Sequence, residues 1–287
     1  MKTPVFTFVL LLIMTAACGQ QKKPGTRMVK QWETGPGLKT PESVLYDVNS
    51  GIIYVSNVDG NPSAKDSTGF IATLSVDGKI LKAGWVTGID APKGMGILNN
   101  HLFVSNIDEV VEIDISTATI LNRYPIKDSK FLNDIATDPK TGKIFITDSG
   151  TGQVYVLQNG QVSLWLQGPM FKGANGLFLN DSLLYIGTDI GIFQAVKGSD
   201  KVKLCVSNDN KGEVDGLYVT SEGKFIFSDW KGSVFIASLD GKPELLLNTS
   251  AEKINAADFG IIVSKKMILI PTFFDNKVVC YTLIEIN

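Results

Sequence analysis

Four side chains in this 287-residue chain have the chemistry of a hard metal centre: Glu42, Asn133, Asn175 and Asp215. Two carboxylates and two amide oxygens form an all-oxygen donor set. Such sets suit Ca²⁺ first, with Mg²⁺ and Mn²⁺ as alternatives. Zn²⁺ is a further alternative, less suited because it favours nitrogen and sulfur ligands. Two carboxylates facing each other across a narrow space also repel unless a cation lies between them.

These residues are far apart in sequence, so something must bring them together. The clearest clue is LNDIATDPKTGKIFITDSGTG, residues 132–152, where a polar pair opens a short alternating run. A turn follows, and then a second apolar run that ends on Asp148. Five other stretches repeat this pattern. Glu42 precedes IIYVSN, Lys93 precedes HLFVSN, Asn175 precedes LLYIGT, Asp215 precedes KFIFSD and Asp258 precedes MILIPT. The anchors at 42, 93, 133, 175, 215 and 258 are spaced by 51, 40, 42, 40 and 43 residues.

A period in the low forties with several short strands per unit is the signature of propeller blades. Six units predict an all-β, six-bladed propeller of four-stranded antiparallel blades, with the anchors gathered at one end of the central channel. The bland alternative is that Asn175-Gly176 and Asp215-Gly216 are simply turn dipeptides. Glu42 is a poor turn former in the same register, and that shared register favours a site.

The remaining pattern agrees with all-β. Asp77-Gly78, Asn99-Asn100, Thr141-Gly142, Asn159-Gly160, Glu222-Gly223 and Asp240-Gly241 each separate alternating runs, as hairpin turns do. Residues 28–33 alternate ahead of the first anchor and should complete the last blade against residues 277–286, closing the ring. Residues 57–69 are rich in turn formers and could be a lid on the channel or a surface insertion.

With these residues in view, the chain resembles the six-bladed propellers of the regucalcin (senescence marker protein) and gluconolactonase family. Diisopropylfluorophosphatase and the paraoxonases are more distant relations. The resemblance rests on Pro41-Glu42, Leu132-Asn133-Asp134, Asn175-Gly176-Leu177 and Val214-Asp215-Gly216, in that order, and spans residues 28–287. It implies that Glu42, Asn133, Asn175 and Asp215 bind a catalytic divalent metal and that Asp215 is the general base of a lactone or ester hydrolysis.

Two departures concern substrate. Phe131 stands where lactonase members carry a substrate-holding Arg, and Lys93 is the anchor of the second unit. Asp148 and Asp229 are candidate substrate contacts or solvated rim residues. Asp134 and Asp258 could hold a second, structural ion or bond to neighbouring backbone.

Other chemistries find little support. His101, the single histidine, sits by a hairpin turn, which argues against a Ser-His-Asp triad or a histidine-rich zinc site. No phosphate-binding or dinucleotide fingerprint occurs. The formal net charge of −2 leaves no basic stripe for nucleic acid. Trp32, Trp85, Trp165 and Trp230 read as packing between blades. Cys205 and Cys280 read as buried free thiols, although a pairing is open.

At the N-terminus, Lys2, the apolar run from Val5 to Met14, and Thr15-Ala16-Ala17-Cys18 read as a signal peptide over residues 1–17, ending at a bacterial lipobox. Cys18 would carry the lipid and residues 18–27 would form a flexible tether to a propeller over 28–287. The expectation is a monomeric envelope lipoprotein that touches the membrane only through its lipid and acts on a small molecule. The rival reading is a non-catalytic envelope propeller that binds or scaffolds.

Overall fold

The computed structural model describes residues 25–208 and 212–286. The leader, Cys18 and most of the tether lie outside them. Among the described residues, no helix is long and apolar enough to cross a membrane.

Strand β1 (Gly25–Glu33) comes first but belongs to the last blade. Blade 1 is β2 (Pro41–Asp47), β3 (Ile52–Asn57), β4 (Gly69–Leu74) and β5 (Ile80–Ile89). Blade 2 is β6 (Pro92–Leu98), β7 (His101–Asn106), β8 (Glu109–Asp114) and β9 (Thr119–Pro125). Blade 3 follows with β10 (Leu132–Asp138), β11 (Lys143–Asp148), β12 (Gln153–Gln158) and β13 (Gln161–Gln167).

Blade 4 is β14 (Leu177–Asn180), β15 (Leu183–Thr188), β16 (Gly191–Val196) and β17 (Val202–Ser207). Blade 5 is β18 (Val214–Val219), β19 (Phe225–Asp229), β20 (Ser233–Ala237) and β21 (Glu244–Asn248). The last blade is β22 (Gly260–Ile262), β23 (Met267–Pro271), β24 (Val278–Ile286) and then β1. Every pairing within a blade is antiparallel. The fold is a six-bladed β-propeller.

Ring closure follows the expected partners. Strand β1 pairs with β24 from Thr26 opposite Glu285 to Glu33 opposite Val279, and it starts at Gly25, three residues before the alternation suggested. This gives the last blade its fourth strand, so first and last segments hold the ring together through main-chain hydrogen bonds.

The core lies between the faces of adjacent blades. Leu98, Phe103 and Val110 of blade 2 pack with Leu132, Ile135 and Ile146 of blade 3. Ile226 and Val234 of blade 5 pack with Ile268 and Ile270 of the last blade. Inner strands are covered on both faces, whereas the outermost strands β9 and β13 are largely exposed. Cys205 and Cys280 are buried in separate packing clusters as free thiols.

Hairpin turns sit where the dipeptides placed them. Asn99 and Asn100 have φ of +51° and +63°, the doubly left-handed pattern of a tight hairpin turn. Asn175-Gly176 and Asp215-Gly216 are different, and the turn reading fails for them. A Cβ on Gly176 would lie 2.0 Å from the Asp215 carbonyl oxygen, and one on Gly216 would lie 2.7 Å from the Phe259 nitrogen. These glycines let the innermost strands of neighbouring blades approach backbone to backbone around the axis.

Candidate functional site

The innermost strands are not regular where the anchors sit. Register between first and second strand shifts between Pro41 and Ser43, Pro92 and Met95, Leu132 and Ile135, and Val214 and Leu217. Each shift is a bulge that re-aims the anchor side chain, and bulges concentrate beside functional sites for this reason. The gap in the ladder is filled by a hydroxyl from the second strand. Ser56 Oγ accepts from the Ser43 N–H at 2.9 Å, Thr147 Oγ1 from Asp134 at 2.9 Å and Ser228 Oγ from Gly216 at 2.8 Å. Thr147 and Ser228 then donate to Asn175 O at 2.8 Å and Ala257 O at 3.0 Å in the next blade. These hydroxyls stitch blade to blade, a role the sequence pattern did not disclose.

The bulges of blades 1, 3 and 5 bring Glu42, Asn133 and Asp215, and the segment just ahead of β14 brings Asn175, all buried, onto one cavity of about 430 Å³. Lys93 and Phe131 line it as well. So do Pro62, Ser149, Glu213, Trp230, Phe273 and Phe274. Pro62 belongs to the loop over residues 57–69, so that loop does reach the channel mouth. A wider, open groove of about 860 Å³ adjoins the cavity and shares Ser149, Gly150 and Glu213 with it.

Hydrogen bonding fixes which way the amides point. Asn133 Nδ2 donates to Ser149 Oγ at 3.1 Å, and Asn175 Nδ2 donates to Asp215 Oδ1 at 3.2 Å. Their oxygens are therefore turned the other way, and they have no partner. Among the described residues five buried side-chain polar atoms are unpaired, and three of them are Glu42 Oε2, Asn133 Oδ1 and Asn175 Oδ1. Buried polar atoms are almost always paired, so three orphans in one cavity mark a place for a ligand.

Electrostatics points the same way. Burial raises the Glu42 carboxyl to about 8, with a further push from Asp258, a downward pull from Lys93 and a smaller push from Glu213. Burial also holds Asp215 well above the usual carboxylate range, with Glu42, Asp258, Glu213 and Asp134 adding to it. Lys93, only 1% exposed, is lowered to about 8 by burial, with Glu42 opposing. Its ammonium donates to Ala91 O at 3.1 Å and Pro62 O at 3.2 Å and lies 4.2 Å over the Phe131 ring. A surplus of carboxyl groups around one cation is a field that favours a second cation. Among the described residues no group of three or more His, Cys, Asp or Glu could hold a metal. Half of the donor set here is amide.

The other expected residues fall elsewhere. Asp148 and Asp229 are buried rather than on a solvated rim, and neither lines this cavity. Asp148 is fully buried and accepts the N–H groups of Lys130, Phe131 and Gly150 at 2.9 Å and Thr151 at 3.2 Å. Asp229 is buried and accepts from the Ser233 N–H at 3.1 Å. Both do for their loops what Asn57 and Asn106 do in blades 1 and 2, where each side-chain oxygen accepts one backbone N–H.

Asp134 bonds the N–H groups of Ile135 at 2.6 Å and Leu177 at 2.5 Å, and Asp258 accepts from the Ser43 hydroxyl. This is the backbone-bonding role foreseen for Asp134. Both lie on a smaller, separate cavity of about 210 Å³ along the channel. His101 Nδ1 lies 2.6 Å from Glu112 Oε1, away from the site and half-buried rather than solvated. Trp85 and Trp165 each pack on a ring of their own blade, Tyr54 and Phe145, at the edge of clusters shared with the next blade, but Trp230 lines the cavity.

Glu213 and Ser149 were missed. Glu213 is two residues from Asp215 and so shares its face of an extended chain, a usable signal. Ser149, which positions Asn133, follows a strand end and has no such mark.

No protein-family model and no curated protein matches this chain. Solved structures do. A candidate gluconolactonase is 14% identical with a TM-score of 0.64, over 91% of this chain and 93% of that one. Virginiamycin B lyase from Staphylococcus aureus is 12% identical with a TM-score of 0.59, over 91% and 100%. The WD40 propeller domain of Doa1 is 12% identical with a TM-score of 0.62, over 84% and 78%. At these identities the likeness is one of fold.

Proposed function

We propose that the protein is a divalent-metal-dependent hydrolase of lactones or carboxylic esters, with Glu42, Asn133, Asn175 and Asp215 as metal ligands. The observation that carries this is the set of three orphaned oxygens turned into one cavity beside Asp215. Oxygen donors and formal charge favour Ca²⁺, with Mg²⁺, Mn²⁺ and Zn²⁺ as alternatives in falling order. When bound, such an ion polarises a carbonyl and stabilises charge on its oxygen.

The chain's own residues supply the rest. Ser149 fixes the Asn133 amide, and the Asn175 amide is fixed by Asp215 itself. Asp215 accepts a proton as water adds to the carbonyl carbon, and returns it to the alcohol oxygen as the ester bond breaks. The products are one acid and one alcohol, joined in a single molecule when the substrate is a lactone. Two of the structural neighbours bear enzyme names, which supports catalysis on this scaffold. The leader and Cys18 support an envelope location with a lipid as the sole membrane contact, and the cavity of about 430 Å³ supports a small-molecule substrate.

The test is hydrolysis of a lactone and aryl-ester panel by the purified full chain after chelation, with each metal restored in turn. Turnover that returns with metal and is lost in Asp215→Asn is expected. Metal binding without turnover of any substrate would instead favour a binding module.

A further inference from the structure

Part of the cavity wall is aromatic. Trp230 follows the end of β19, and Phe273 and Phe274 open a short 3₁₀ turn, Phe273–Asp275, after β23. Their ring centroids lie 5.7, 5.8 and 4.9 Å apart, each pair edge to face. Phe273 is buried against Val58, Ala91 and Ile107 and anchors the group. It does so with φ of +44°, a costly conformation for a large residue and one that tends to persist where function needs it.

Above it, Trp230 and Phe274 are 41% and 63% exposed, an apolar surface at the mouth of the cavity. Phe131 and Pro62 complete the apolar part of the lining. Exposed contiguous aromatic surface beside a cavity marks a binding surface.

Beyond the four candidate ligands, the polar side chains on the cavity are Lys93, Ser149 and Glu213, and Ser149 Oγ lies 3.1 Å from Glu213 Oε1. Two protons of the Lys93 ammonium are held by backbone carbonyls, and Phe131 covers the group. Asp148 is saturated by backbone N–H groups. A polyhydroxylated ring would lose its water here and find few partners, which is costly. An alkyl or aryl group would gain by burial.

We infer that the substrate of this site carries an apolar alkyl or aryl group close to its ester or lactone carbonyl, seated on Phe131, Trp230, Phe273 and Phe274, and is not a sugar lactone. This rests on the hydrolase reading for its chemistry, while the apolar seat itself rests on geometry. A volume of about 430 Å³ accommodates a medium-length chain.

The experiment uses the full chain with Ca²⁺ and a series of γ-lactones from four to ten carbons, with glucono-δ-lactone alongside. A fully buried methylene is worth about fourfold in affinity. With the chain only partly covered, kcat/KM should rise by roughly thirtyfold or more across the series, and glucono-δ-lactone should be poorer than the four-carbon lactone. Trp230→Ala and Phe274→Ala should each cut the ten-to-four-carbon ratio by about tenfold, with Ca²⁺ affinity held.

A second readout is binding of the ten-carbon lactone to chelated protein, followed by quenching of tryptophan fluorescence and compared with Trp230→Phe. Turnover that is flat with chain length, or greater with glucono-δ-lactone, overturns this inference and leaves the hydrolase standing. Saturable quenching that depends on Trp230, with no turnover of any lactone or aryl ester, upholds the apolar seat and overturns the hydrolase. Absence of both turnover and quenching overturns the inference.

Discussion

Replacing Asp148 by Ala should destabilise the protein more than most single changes, although no ligand is in view. The carboxylate is fully buried and accepts four backbone N–H groups at 2.9 to 3.2 Å, two from the loop ahead of β10 that carries Phe131 and two from the turn after β11. A buried donor left without an acceptor costs about 1–3 kcal/mol. Four at once do not add fully, because water can enter the space left, so the expected loss is about 3–4 kcal/mol. Asp148→Asn keeps one oxygen but turns an amide N–H₂ towards the other donors, for a loss of about 2 kcal/mol. Urea unfolding of both variants reads these values from midpoint shifts at constant slope. If Asp148→Ala unfolds within about 0.5 kcal/mol of wild type while KM for a substrate rises, Asp148 is a substrate contact and the loop-anchoring role is wrong.

Three further outcomes are expected. At the far end of blade 3, Asp138 is buried, and burial alone would raise its carboxyl. Hydrogen bonds from Lys197 at 2.5 Å, Thr141 at 2.7 Å and Lys140 N–H at 3.1 Å hold it down at about 2 instead. Its folded value lies below the unfolded value of about 3.9, so it stabilises above pH 4 and that contribution is lost as pH falls towards 2. Asp138→Asn should therefore cost about 1–2 kcal/mol at pH 6 and much less at pH 2.5, read by urea midpoints at both. Burial raises the Cys205 thiol and pushes the Cys280 thiol up to about 11, so peptide mapping should find both unlabelled by a thiol reagent until denaturant is added. Gly176→Ala places a Cβ 2.0 Å from a backbone oxygen with no flexible neighbour to yield. It should lower the unfolding midpoint by the equivalent of about 3 kcal/mol or prevent soluble expression, and a near-neutral result would contradict the close approach of blades 4 and 5.

Much of the architecture was legible because a propeller repeats itself. The spacing of the anchors, the paired dipeptide turns and the alternation of residues 28–33 are local signals, and each reports on a strand or turn formed by its own neighbours. The convergence of Glu42, Asn133, Asn175 and Asp215 on one cavity was legible for the same reason, since equivalent places in a closed ring face one axis. What was hidden depends on the adjacent blade. Gly176 and Gly216 carry the dipeptide signature of a turn, yet they serve a close approach whose partner is about forty residues away. Asp148 and Asp229 look like charges at a strand end, and only the loop folded over them shows that backbone N–H groups saturate Asp148. Trp230 resembles the other tryptophans in sequence. It becomes a cavity residue because β23 of the next blade delivers Phe273 and Phe274 beside it.

Calorimetric titration of Ca²⁺ into the chelated full chain, alongside Glu42→Gln and Asp215→Asn, tests the cation site most directly. A single saturating event with one ion per chain, abolished or weakened at least about a hundredfold in either variant, is expected from two ligands lost in turn from a four-oxygen set. Absence of saturable heat in the wild type, or binding that survives both substitutions unchanged, would contradict a metal centre at Glu42, Asn133, Asn175 and Asp215.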